Sequence, residues 1–66
     1  MIEIKTGEDL KSARKSLTLG QTKLAKLCGV ARNTVLAWEK KDSIAYVTAL
    51  GLEVILQRYG GNHDES

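Results

Sequence analysis

The side chains with chemistry to offer are cationic, and they crowd into one part of the chain. Residues 1–41 carry nine Lys and Arg (Lys5, Lys11, Arg14, Lys15, Lys23, Lys26, Arg32, Lys40 and Lys41) against four acids (Glu3, Glu8, Asp9 and Glu39), a net charge of +5. Residues 42–66 carry Arg58 against Asp42, Glu53, Asp64 and Glu65, a net charge of −3. A basic front part suits a polyanion and an acidic back part does not. A solvated surface of mixed charge accounts for the same counts. Other chemistry is missing. No nucleophile–base pair and no glycine-rich phosphate loop beside a strand can be read, and 66 residues leave no room for a deep pocket. Cys28 and His63 are the only Cys and His, which excludes a zinc set and an internal disulfide. The sequence predicts no enzyme, no cofactor, no metal and no small-molecule substrate.

These residues need elements to hold them. Ile2-Glu3-Ile4-Lys5 alternates apolar and polar and predicts a short strand. Thr6 with Asp9 three residues on forms a loose capping box for a helix over about 7–17, with Leu10, Ala13 and Leu17 inward. Thr18-Leu19-Gly20 is a break. A second helix starts near Gln21, with Gly20 as its cap and Leu24, Ala25, Leu27 and Cys28 inward. Cys28 reads as a buried, inert thiol. Gly29 stops this helix. A third helix runs over about 32–40 with Val35 and Trp38 inward, and 40–43 is a polar loop.

The remainder reads less cleanly. Residues 44–51 form either a short helix capped by Ser43, with Ile44, Val47 and Leu50 inward, or part of a hairpin turning at Leu50-Gly51; the helix is preferred. Residues 52–59 predict a strand, with Leu52, Val54 and Leu56 on one face and Glu53, Ile55 and Gln57 on the other. Ile2 and Ile4 can pair with Val54 and Leu56 within one chain, or the C-terminal strand can pair with its copy in a second chain; apolar residues on both faces favour the second, and so a dimer interface at Leu52, Val54, Ile55 and Leu56. Residues 1–59 are expected as one domain, and 60–66 as a disordered polar tail. No stretch has the length of a membrane span, and the first residues lack the order of a signal peptide. A soluble, cytoplasmic protein without membrane contact is expected.

The densest pattern is Gln21–Lys40, QTKLAKLCGVARNTVLAWEK. Two helices that cross need a short turn with glycine, which Gly29 supplies, and a small residue at the contact, which Ala25 supplies. Val30, Val35 and Trp38 fill the wedge. This stretch resembles the helix-turn-helix of the Xre/Cro family of phage and bacterial regulators, from Gln21 through Ala25, Gly29, Val30, Val35 and Trp38 to Glu39. The string GQTKLAKLCGV is similar to the same stretch of lambda-type Cro proteins. The resemblance implies a mostly α fold with short β: three to four helices plus an N-terminal and a C-terminal strand. It also implies a homodimeric transcriptional repressor on a near-palindromic double-stranded DNA operator.

Residue roles follow from the resemblance. Arg32 and Asn33 match base-facing positions, and their side chains bond guanine and adenine edges bidentately. Ala31, Leu36 and Ala37 are further candidates for base contact, through thymine methyls; the alanines serve equally as spacers, and Leu36 equally as helix-edge packing. Gln21 and Thr34 match phosphate-holding positions, and Lys40, Lys41 and Lys23 are candidates for phosphate. Arg14 and Glu39 match a structural ion pair. Two departures stand out: Gly20 replaces the usual polar cap, and the segment between Glu39 and Ala49-Leu50-Gly51 is short. The ending ALGLEVIL is similar to antitoxin-type members, in which a helix leads into a terminal strand. That likeness implies, as an alternative, an antitoxin-type or anti-CRISPR-associated autoregulator that also binds a protein partner.

Overall fold

Thr6 begins the folded chain as a full capping box. Its hydroxyl accepts from the Asp9 N–H at 3.1 Å, and the Asp9 carboxylate accepts from the Thr6 and Lys5 N–H groups at 3.1 and 3.0 Å. Helix α1, Gly7–Ser16, follows. The computed structural model describes the backbone of residues 2–65 and the side chains of residues 2–61. Three more helices complete it: α2 Gln21–Cys28, α3 Arg32–Glu39 and α4 Tyr46–Glu65. Ser66 lies outside the described residues, as do the side chains of 62–65; the backbone of 60–65, expected in a polar tail, continues α4.

The first three helices lie where the sequence puts them. Helix α2 ends at Gly29 in the left-handed region (φ 73°). Val30 N–H bonds Ala25 O at 3.0 Å and Gly29 N–H bonds Lys26 O at 3.2 Å, so the turn into α3 is a Schellman motif. The earlier turn works differently. Gly20 has φ −77°, and the positive φ (56°) falls on Thr18. A β-branched residue in that region is strained. Leu19, only 3 % exposed, anchors the turn in the core.

The two predicted strands are corrected: among the described residues there is none. Ile2–Lys5 keeps its alternation, with Ile4 buried, Ile2 half-buried, and Glu3 and Lys5 exposed. It runs as an extended arm rather than a ladder. Ile4 N–H donates to the Glu53 carboxylate at 2.8 Å, and Lys5 O accepts from Ile44 N–H at 2.9 Å. Residues 52–59 are helical because Ala49, Leu52 and Leu56 recur at spacings of three and four. That buries one face while every backbone group finds its partner within the helix; a lone strand would leave its edges unpaired. The inward set is Ile44, Ala49, Leu52 and Leu56. Val47 and Leu50, expected inside, are 80 % and 43 % exposed, and Leu27 of α2 also points out.

The dimer assignment changes with it. Leu52 and Leu56 sit in the chain's own core with Leu10, Leu24 and Val35. Val54 is exposed and Ile55 half-buried. The strand that suggested the interface, and the likeness to antitoxin-type members, is the second half of α4.

One glycine sets the closeness of packing. Gly7 N–H bonds Lys41 O at 2.9 Å, tying the start of α1 to the end of α3. A Cβ at Gly7 would overlap the Trp38 and Glu39 carbonyl groups, lying 2.5 Å from Glu39 O. Gly7→Ala should therefore cost at least ~1–3 kcal/mol, the range for overpacking; an unchanged urea midpoint would show that α1 and α3 can part freely. The α1 cap gives a second expectation. The Lys5 and Thr6 N–H groups hold the Asp9 carboxyl below its ordinary value of 3.8. A depressed folded value means that the cap stabilises fully above pH ~4 and that its contribution is lost as pH falls below it. Asp9→Asn should flatten the pH dependence of stability in that acid window; an unchanged slope would remove the carboxylate from the cap.

Candidate nucleic-acid interface

The surface around α3 is positioned from the core outward. Arg14, on the inner face of α1, is only 7 % exposed. Its Nε donates to Glu39 Oε2 at 2.7 Å, its Nη1 to Leu19 O at 3.0 Å, and its Nη2 to Glu39 Oε1 at 3.4 Å. One guanidinium thus joins α1, the turn before α2, and the last residue of α3. A buried charge needs a partner to offset its desolvation, and here both partners' side chains are almost fully enclosed. The Arg14–Glu39 pair implied by the resemblance is present.

The chain of bonds continues to the surface. Gln21 Nε2, in the first turn of α2, donates to Glu39 Oε1 at 3.0 Å. Arg32 Nη2, in the first turn of α3, donates to Gln21 Oε1 at 3.2 Å. Arg14, Glu39, Gln21 and Arg32 therefore form one line from the interior to an exposed guanidinium. Both ends of the Gln21 amide are engaged, so its side chain is oriented before any ligand arrives. Sequence reading identified these four residues but not the Gln21–Arg32 bond. The relevant signal was there: Gln21 and Arg32 each open a helix, and the Gly29 turn brings those two openings together.

Helix ends add to the charge of this surface. Helix α1 is capped by side chains at its N-terminus. Neither α2, capped by Gly20, nor α3, capped by Ala31, has a side-chain cap hydrogen bond, and neither has an acid in its first turn. The amide groups of two helix N-termini are thus left for solvent or an anion. Arg32, Asn33, Ala31 and Ala37 are exposed, while Thr34 and Leu36 are half-buried. Lys23, Lys40 and Lys41 are exposed near the ends of α2 and α3. Val35 is fully buried, Ala25 is 3 % exposed at the α2–α3 contact, and Trp38 is half-buried against the core. Helix α3 thus buries one side and offers its first turn and outer side to solvent.

Among the described residues no cluster of His, Cys, Asp or Glu could hold a metal. Burial raises the Cys28 thiol above its ordinary value of 9.0, which keeps it protonated near neutral pH and a poor nucleophile. Among the described residues no helix is long and apolar enough to cross a membrane. No protein-family model, curated protein or solved structure matches the chain.

Breaking the line at its buried end should be expensive. Glu39→Ala leaves Arg14 charged and enclosed, with Leu19 O as its remaining acceptor, and is expected to destabilise by ~3–5 kcal/mol. Glu39→Gln keeps acceptor capacity and should cost less. Equal urea midpoints for the native and Glu39→Ala chains would show that the pair does not hold α1 to α3.

Proposed function

We propose that this protein is a sequence-specific double-stranded DNA-binding transcriptional repressor, acting as a cytoplasmic homodimer on a near-palindromic operator. The observation that carries the reading is the start of α3. Arg32 and Asn33 stand exposed on an uncapped helix N-terminus, and Arg32 is tied through Gln21 and Glu39 to the buried Arg14. An Arg and an Asn side by side can bond two adjacent base edges in a major groove, one favouring guanine and the other adenine. Holding the guanidinium in place beforehand reduces the side-chain entropy lost on binding.

The other groups suit the DNA backbone. The free amides at the starts of α2 and α3 favour phosphate oxygens, and Lys23 in the first turn of α2 with Lys40 and Lys41 just past the end of α3 adds positive charge for further phosphates. Exposed Ala31 and Ala37, with the visible edge of Leu36, offer small apolar surfaces to thymine methyls. The acidic end of the sequence would be directed away from DNA. Repression would follow from occupying promoter DNA.

Selection from a pool of randomised duplexes tests the reading. It should enrich an inverted repeat whose half-sites lie about 34 Å apart, one turn of duplex. On the selected duplex, Arg32→Ala should lose ~1–3 kcal/mol and relax the preference at one base pair. Lys41→Ala should weaken all sequences alike and lower the salt slope by about one. Failure to enrich any sequence would overturn the proposal.

A further inference from the structure

Helix α4 leaves a face uncovered. Tyr46, Val47, Leu50 and Val54 are 76, 80, 43 and 49 % exposed, an unusual concentration of large apolar side chains on one element of so small a chain. At 100° per residue they fall together on the side opposite Ala49, Leu52 and Leu56, with Gln57 and Arg58 completing the strip. Gly51 borders it with open space where a Cβ would stand. The four apolar side chains expose on the order of 500 Å², at the upper end of what an ordinary monomer shows in one patch.

We infer that this face binds a second copy of the same chain, with the two α4 helices antiparallel across a two-fold axis between Leu50 and Val54. The pattern is self-complementary. Positions 46, 50, 54 and 58 form one ridge spaced by four, the ridge that commonly packs between helices. Reversing the helix maps that ridge onto itself. Leu50 then meets the partner's Val54, and Tyr46 meets the partner's Arg58, ring against guanidinium. A parallel pair would instead set Arg58 against the partner's Arg58. The strip itself carries no acid; Glu53 borders it beside Tyr46, Leu50 and Gln57 and is already engaged by the Ile4 N–H. The one charge the strip carries is matched by its own tyrosine. A patch this size is below the ~800 Å² per partner of a standard stable interface, so the dimer is weak in free solution and strengthened when both copies sit on one ligand.

The biological sense of this dimer rests on the proposed function, which calls for two α3 helices about one turn of duplex, ~34 Å, apart.

Sedimentation equilibrium of the full chain over the micromolar range tests the surface directly. A concentration-dependent dimer is expected, weakened at least ~10-fold by Val54→Glu or Leu50→Lys. Mixing these two variant chains should restore association, because the antiparallel pairing brings the new acid of one against the new base of the other. Helix content by circular dichroism verifies that each variant folds, and Val47→Lys, at the most exposed position, provides a further disruption. A native chain that stays monomeric, or variants that dimerise as the native chain does, would overturn the inference. Binding of the Val54→Glu chain to a half-site duplex separates the two proposals: retained half-site affinity supports DNA recognition whatever the outcome for the dimer. A native dimer that binds no duplex sinks the DNA reading alone.

Discussion

A guanidinium and a carboxylate 2.7 Å apart inside a 66-residue chain tie together three of the four helices among the described residues. Arg14 arrives from α1 and Glu39 from the end of α3, and the Leu19 carbonyl, just before α2, takes another guanidinium proton. A domain this small buries little apolar surface, so its stability margin is narrow. An enclosed pair adds less net stability than an apolar contact of the same size, but it penalises every arrangement in which the two charges fail to meet. Gly7 acts in the same direction, since only a residue without a Cβ lets α1 lie against the α3 carbonyls. Charge pairing and close backbone approach together fix where the first turn of α3 points.

From that fixed point the surface follows. Glu39 has one oxygen on Arg14 and shares the other with Gln21, and Gln21 in turn holds Arg32. The exposed guanidinium is thereby an extension of the core. Beside it, the absence of side-chain caps on α2 and α3 leaves amide dipoles directed at solvent, whereas α1, remote in role, is fully boxed. A chain selected for stability alone would gain from Ser or Asp at positions 20 and 31. Leaving Gly20 and Ala31 there is understandable if an anion completes those helix ends.

The three helices within residues 7–40 were legible because several local rules agree there. Thr6 with Asp9, Gly29 after Cys28, and Val35 with Trp38 each demand the same boundaries. The alternation of Ile2–Lys5 was read as a strand, but alternation cannot say whether a partner strand exists, and here Glu53 and Ile44 take that place. Residues 52–59 misled because Leu52, Val54 and Leu56 satisfy period two while Ala49, Leu52 and Leu56 satisfy the helical period. Burial against α1 and α2 chose the latter. The positive φ at Thr18 was not legible, because a β-branched residue carries no signal for that region. The significance of Gly7 appears only when two helices are brought together, although a glycine in a helix's first turn was a hint of close approach.

In the proposed function, duplex DNA is met by the starts of α2 and α3. Amide chemical-shift mapping of the isotope-labelled protein titrated with a short duplex at low salt addresses this most directly. Gly20, Gln21, Arg32, Asn33 and their neighbours should shift progressively, with the Arg32 side-chain resonance among the most affected, while the core face of α4 stays still. Shifts confined to the outer side of α4, or none at any duplex concentration, would contradict it.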